Sequence, residues 1–276
     1  MANPETAPVY NADEWSAGAT NYADKLEPFT FQFGSESLRL LAPVAGERLI
    51  DIACGSGLLA IHAATEYGVE VDAIDFSTSM PQLVEHRLAA VSDAAIVRTH
   101  VMDGTALDFL KGTFDAAISC FGIFLFEDFQ KGLREMHRVL KPGGGAAVVC
   151  WCPPHETALQ PWYEMIGQEC PELGELKRPK GWTSMETSEG MTQELTRVGF
   201  GDVSVERVCL PFKCPSATEF CQILAANPFG KTTLENFSDG RQEELKAAFI
   251  KLLESRYGTG AFEIAATALV GLGTKR

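Results

Sequence analysis

The run Arg48-Leu49-Ile50-Asp51-Ile52-Ala53-Cys54-Gly55-Ser56-Gly57 decides the fold. Its first half reads as a short apolar strand and its second half as a glycine turn. Leu58 to Tyr67 then reads as a helix, closed by Gly68. A strand that passes through glycines into a helix lets the backbone approach a ligand closely, and it leaves the unpaired N–H groups of the helix start facing that ligand. Downstream the alternation repeats. Val69 to Ile74 is a second strand, and Ser77 to Ala90 a helix with Pro81 in its first turn. Ala95 to Val101 is a third strand. Phe114 to Cys120 is a fourth, apolar almost throughout, as a strand covered on both faces should be. Phe129 to Leu140 is a helix stopped by Lys141-Pro142-Gly143-Gly144, and Ala146 to Trp151 a fifth strand. Strands alternating with helices predict an α/β fold with a doubly wound, mostly parallel sheet.

The flanks are less regular. Residues 1–20 are small and polar and are expected to form a mobile arm. Residues 21–42 fit one or two helices interrupted near Pro28. After the fifth strand, residues 153–200 read as helices joined by Pro- and Gly-containing loops, with Trp162, Tyr163 and Trp182 as candidates for a lid. Val203 to Leu210 and Ala261 to Gly271 read as two further strands, with helices at Ser216 to Ala226 and Arg241 to Tyr257 between them. No linker or internal repeat divides the chain. The expected organisation is one domain over 1–276, made of an N-terminal arm with helices (1–42), a ligand-binding core (43–152), a helical insertion (153–200) and C-terminal strands and helices (201–276).

Composition narrows the function. Hydrophobic residues make up 46% and charged residues 22% of the 276, an ordinary globular balance. The net charge is −14 and Lys and Arg do not cluster, which disfavours a groove that tracks nucleic-acid phosphates. The N-terminus has no basic and apolar signal region, and no apolar run reaches membrane-spanning length. The eight cysteines form no CxxC pair, so they read as free thiols of a reducing, cytoplasmic protein rather than as a metal or redox motif.

The glycine turn is ambiguous by itself, because Gly55-Ser56-Gly57-Leu58-Leu59-Ala60 also satisfies the G-x-G-x-x-A dinucleotide fingerprint. Asp51 separates the readings. A dinucleotide places an anionic pyrophosphate at this turn, where a carboxylate is unhelpful, whereas a ligand carrying an ammonium group would welcome it. Asp75, ending the second strand, can accept both hydroxyls of a ribose and fits either cofactor. Asp103 and Gly104, ending the third strand, can hold an adenine amine and ring through a carboxylate and a backbone N–H. Phe76 and Met80 can sandwich the purine.

In this order the chain resembles the class I S-adenosylmethionine-dependent methyltransferases, particularly the small-molecule group similar to the ubiquinone/menaquinone C-methyltransferases. The matching pieces are Leu49 to Gly57, Ala73-Ile74-Asp75-Phe76-Ser77, Met102-Asp103-Gly104, Phe114 to Ser119 and Arg138 to Gly144. The resemblance covers residues 20–150 well. It implies a seven-stranded sheet with the last strand antiparallel, S-adenosylmethionine as cofactor, and cofactor contacts at Asp51, Gly55, Gly57, Asp75, Met80, Asp103, Gly104 and Cys120. Ala53 stands where the family usually has glycine, and alanine resists a positive φ.

The reaction this implies is in-line displacement of an activated methyl group by a small organic acceptor. It needs orientation and exclusion of water, and no metal. A base is needed only for a protonated acceptor. His155, just past the fifth strand, is the best histidine for that task. Tyr22, Phe33, Phe121, Phe124 and Trp151 are the candidates for the acceptor pocket, being aromatic and expected at the carboxyl edge of the sheet. The alternatives are a nicotinamide-dependent oxidoreductase, which Asp51 and the Asp103-Gly104 turn argue against, and a non-catalytic binding protein, which would have no need of these glycines and carboxylates.

Overall fold

The computed structural model describes residues 11–91, 96–174 and 176–276. Residues 1–10 of the expected arm lie outside the described residues, as does Ala95 at the start of the expected third strand. The rest of that arm is ordered: α1 spans Ala12–Asn21, because Asn11 accepts a hydrogen bond from the Glu14 amide while the Glu14 carboxylate accepts one from the Asn11 amide. This capping box supplies a helix start that polarity alone does not reveal. A π-helical turn, Tyr22–Leu26, leads into α2, Glu27–Leu41, which has Pro28 in its first turn, where proline is tolerated.

The core then unrolls as β1 (Arg48–Ile52), α3 (Leu58–Tyr67), β2 (Glu70–Asp75), α4 (Ser79–Leu88), β3 (Val97–Val101), β4 (Phe114–Cys120), α5 (Phe129–Val139) and β5 (Leu140–Trp151). Helices α6 (Gln160–Glu169), α7 (Lys180–Met185) and α8 (Ser188–Arg197) follow. Next come β6 (Phe200–Cys214), α9 (Ala217–Ala226), α10 (Pro228–Leu234), α11 (Asp239–Tyr257) and β7 (Phe262–Lys275). The seven strands form one sheet in the order β3-β2-β1-β4-β5-β7-β6, with β7 antiparallel to both neighbours. The expected seven-stranded, mostly parallel, doubly wound sheet with an antiparallel last strand is therefore the observed one.

Three strands, β5, β6 and β7, outrun their expected bounds. The Lys141-Pro142-Gly143-Gly144 stop lies inside β5, which pairs with β4 from Phe114↔Leu140 and shifts register before Ala116↔Gly145. A bulge absorbs the extra residues, with Gly143 at φ +82 and Gly144 packed so closely on the Asp115 carbonyl that a Cβ would stand 2.8 Å from it. At the other side, β5 ends with Trp151 opposite Ala268, while β6 and β7 go on pairing as far as Cys214↔Phe262. Because β7 is antiparallel to both, β6 runs parallel to β5, and this overhang stands at the carboxyl edge of the parallel strands.

Strand alternation divides the core between the two faces. Leu49 packs with Val71, Ala73 and Ile118 under α2 and α3, while Ile50, Ile52 and Ile74 pack on the opposite face with Phe114 and Leu133. By the same parity Asp51 and Asp75 project to the face of Leu49 and Ala73, the one covered by α2, α3 and α4.

The turn after β1 shows what the alanine costs. Ala53 sits at φ +59, a region L-residues avoid by about 1–2 kcal/mol. Its methyl group is accommodated because residue 122 lacks one: a Cβ on Gly122 would stand 2.5 Å from the Ala53 Cβ and 3.0 Å from the Ser119 hydroxyl. Gly122→Ala should therefore lower unfolding free energy by about 1–3 kcal/mol in urea denaturation through overpacking. A midpoint equal to wild type would show that the Ala53–Gly122 fit is slack.

Candidate active site

A cavity of about 780 Å³ opens at the carboxyl edge of the sheet. This is where ligands bind in open α/β sheets, since the loops that diverge there leave a crevice. Its lining draws on segments far apart in the chain: Tyr22 and Phe29 from the N-terminal helices, Ala53 and Gly55 from the glycine turn, Asp75 at the end of β2 with Phe76 and Met80 beyond it, Asp103 and Gly104 after β3, Cys120 at the end of β4 with Phe121 and Phe124 beyond it, and Trp151 at the end of β5.

The glycine turn is built on left-handed backbone. Gly55 lies at φ +56 and Gly57 at φ +79, and a Cβ on Gly57 would meet Val84 of α4 at 2.5 Å. Gly57 thus serves turn and packing, and it does not line the cavity. Asp75 organises the turn: its two carboxylate oxygens accept the Gly55 amide at 3.1 Å and the Ser77 amide at 2.9 Å. Burial pushes its pKa up to about 6, against the lowering effect of those amides. With 6% of its surface exposed, it still faces the cavity and keeps lone pairs for a ligand.

Asp51 is 1% exposed and is not on the cavity surface, yet its Oδ2 atom has no hydrogen-bond partner. Burial, and then the charges of Asp75 and Glu27, push its pKa up to about 8. An orphaned carboxylate oxygen in such a place calls for a cation or a donor. Asp103 is exposed on the cavity rim, where its carboxylate accepts the Thr105 amide at 2.8 Å and the Thr105 hydroxyl at 2.9 Å, shaping the turn that presents the Gly104 amide. Phe76, 39% exposed, and Met80, buried, flank the same wall.

One side of the cavity is aromatic. Phe121 adopts φ +57, a rare state for a bulky residue and one that clusters at functional sites. Its ring stacks on Trp151 with centroids 3.9 Å apart and planes at 21°. Phe33 sits edge-on to both, at 5.6 and 5.3 Å, and buttresses them without reaching the cavity. Phe124 meets Trp182 at 6.0 Å, and the Trp182 indole N–H donates to the Cys152 carbonyl at 3.2 Å. Within the 153–200 segment, Thr157, Ala158, Leu159, Pro179, Lys180 and Trp182 line the cavity, whereas Trp162 is buried against Phe249. Tyr22 lies over Gly55: its ring would be 3.1 Å from a Cβ there, and its hydroxyl is 3.3 Å from the Thr30 hydroxyl.

His155 is placed apart. It sits in a one-turn 3₁₀ helix with 73% of its side chain exposed, 3.9 Å from Glu156, and does not line the cavity. The chain turns outward at Pro153-Pro154, so proximity in sequence to β5 does not become proximity to the site. Sequence reading also missed a wall. The β6–β7 overhang and α9 contribute Phe212, Ala266, Phe220, Ile223 and Leu224. The spacing of Phe220, Ile223 and Leu224 reveals an apolar helix face, but not what that face covers.

Residues 49–144 match the family model described as a methyltransferase domain. The likeness to methyltransferase domains is thus carried by this segment. Among curated relatives, a demethylmenaquinone methyltransferase of Clavibacter sepedonicus is 37% identical over 127 residues, covering 46% of this chain and 50% of the relative. One of Bacteroides fragilis is 28% identical over 184 residues, covering 63% of this chain and 75% of the relative. The chain spans about half the length of the first curated relatives it matches. Among solved structures, a phosphoethanolamine N-methyltransferase of Haemonchus contortus superposes with a TM-score of 0.57 at 22% identity, over 94% of this chain and 57% of that one, a likeness of fold. The matched segment ends inside β5, so the overhang, α9 and the helices at 153–200 complete the cavity from outside it.

The Asp51 pKa can be tested through stability. Its ordinary value is 3.8 and its folded value about 8, so between these the unfolded chain ionises the group while the folded protein holds the proton. Stability from this group is therefore present at low pH and lost as pH rises toward 8. The unfolding free energy of Asp51→Asn relative to wild type should rise steadily from pH 4 to pH 8; a flat difference would place Asp51 in contact with solvent or a cation.

Proposed function

We propose that this protein is an S-adenosylmethionine-dependent methyltransferase acting on a small, largely apolar organic acceptor. The observation that carries the reading is the ring of acceptors around one glycine turn: Asp75 and Asp103 on the cavity wall, and Asp51 beside them with a buried oxygen that lacks a partner. S-adenosylmethionine, when bound, supplies a methyl group already activated on a positively charged sulfur. Asp75 would take the ribose hydroxyls. Gly104 and Asp103 would hold the adenine edge between Phe76 and Met80. Asp51 would face the ammonium group, whose charge would favour its ionised form.

The remaining side chains orient the acceptor and keep water out. The stacked Phe121 and Trp151 present an aromatic surface beside Cys120, suited to positive charge at the reacting centre. Phe124, Trp182, Phe212, Phe220 and Leu224 form a wall that an apolar ring or chain would wet better than water does. The names of the relatives, demethylmenaquinone methyltransferases, are consistent with an acceptor of that character. On the acceptor side no imidazole lines the cavity among the described residues, so removal of a proton from the acceptor would not fall to a histidine there. A net charge of −14 supports a small molecule over nucleic acid. No described helix is long and apolar enough to cross a membrane, and all eight cysteines are free thiols, which supports a reducing cytoplasmic setting.

Isothermal titration with S-adenosylhomocysteine and with NAD tests the reading directly. Binding of the first without the second is expected, and the reverse would overturn it. Asp75→Ala should weaken S-adenosylhomocysteine binding by about 1–3 kcal/mol through lost hydrogen bonds to a charged group; an unchanged dissociation constant would remove Asp75 from the ribose. Once an acceptor is in hand, His155→Ala should leave kcat/KM within about twofold of wild type, since surface positions remote from the chemistry contribute little. A hundredfold loss would restore His155 as the base.

A further inference from the structure

Glu27 is the one buried carboxylate at this site that the functional reading does not use. It is the first residue of α2, 4% exposed, and it reaches across to the glycine turn. One oxygen accepts the Ser56 hydroxyl at 2.6 Å and the Arg87 guanidinium at 2.5 Å; the other lies 3.4 Å from the Leu58 amide. Arg87, near the end of α4, also donates to the Ser56 carbonyl at 3.0 Å. Leu58 is the first residue of α3, so the Glu27 carboxylate stands at the N-terminus of the helix that follows the glycine turn.

That position has a known chemistry. The positive end of a helix behind a G-x-G turn is where a phosphate group settles, because free N–H groups and the helix dipole both favour an anion. Here the chain fills it with its own carboxylate. We infer that Glu27 is a specificity-determining and positioning residue, an internal anion that occupies the phosphate position of the glycine turn and so makes the pocket reject anionic nucleotides in favour of a cationic nucleoside. The inference rests on the functional reading above and explains how a turn that satisfies the dinucleotide fingerprint is denied to a dinucleotide.

Electrostatics agree with the geometry. Glu27, Asp51 and Asp75 gather around the turn, and Glu27 and Asp75 both raise the Asp51 pKa. Arg87 is the cation paired with Glu27 among the described residues, and its Nη1 donates to Glu27 and to the Ser56 carbonyl. A pyrophosphate entering this turn would meet the carboxylates of Glu27 and Asp75, the buried Asp51 behind them, and one already paired arginine. A ligand with an ammonium and a sulfonium would meet complementary charge.

The test compares two ligands that share adenosine and differ in charge, S-adenosylhomocysteine and ADP, by equilibrium titration on the full chain. Wild type should bind S-adenosylhomocysteine at least 100-fold more tightly than ADP. Glu27→Gln, which keeps the size and removes the charge, should narrow that ratio at least tenfold. A purely structural role would weaken both ligands together, and an unmoved ratio overturns the inference. Glu27→Asp keeps the Arg87 partner and withdraws the carboxylate by one methylene, so it should shift the ratio the same way by a smaller factor. If Glu27→Gln does not fold, Glu27→Asp decides, and an unmoved ratio there is equally fatal. Should wild type bind no S-adenosylhomocysteine, the functional reading fails and takes this inference with it; binding with an unmoved ratio removes only the role of Glu27.

Discussion

Negative charge held out of water around a single glycine turn is the constraint on which the site depends. Asp51 and Asp75 end adjacent parallel strands and, by strand parity, project to the same face of the sheet, where α2 brings Glu27 beside them. Burying carboxylates is costly unless each finds donors or a counter-charge. Glu27 has Ser56 and Arg87, and Asp75 has two backbone amides, while one Asp51 oxygen has nothing. Burial and the neighbouring charges of Asp75 and Glu27 raise the Asp51 pKa, and a cationic ligand would offset them.

The fold arranges the rest of the cavity around this charge. Parallel strands end at a common edge, so the groups after β1, β2, β3, β4 and β5 converge without any of them being close in sequence. The antiparallel β7 allows β6 to run parallel to β5, and the excess length of that pair becomes a wall above the same edge. Aromatic packing then fixes what the backbone leaves free: Phe121 is held in a costly left-handed conformation by its stack on Trp151 and the edge-on support of Phe33. Ala53, at the start of the glycine turn, holds left-handed backbone as well. Gly122, next to Phe121, is the residue whose missing side chain makes room for Ala53.

Legibility differed by position for physical reasons. Leu58–Tyr67 and Phe114–Cys120 are bounded in the structure as their patterns predict, because each is local: a glycine-closed helix and a uniformly apolar strand. The Lys141-Pro142-Gly143-Gly144 stretch read as a stop, but pairing with β4 carries the strand through it as a bulge, and that partner is not visible in a local pattern. His155 was judged by its distance from β5 along the chain, and the turn at Pro153-Pro154 reverses that judgement. No local pattern marks Glu27; only the packing of α2 over α3 makes it a partner of Ser56 and Arg87.

By itself the sequence determined the alternation of strands and helices, the glycine turn, and the acidic residues at the ends of three strands, since these follow from periodicity and backbone freedom within short windows. Tertiary structure alone decided that the N-terminal helix lends a carboxylate to the turn, that the C-terminal strands overhang the site, and which aromatic rings face the cavity rather than the core. Those outcomes depend on contacts between segments far apart in the chain, where the energy lies in burial and charge pairing that no local pattern encodes.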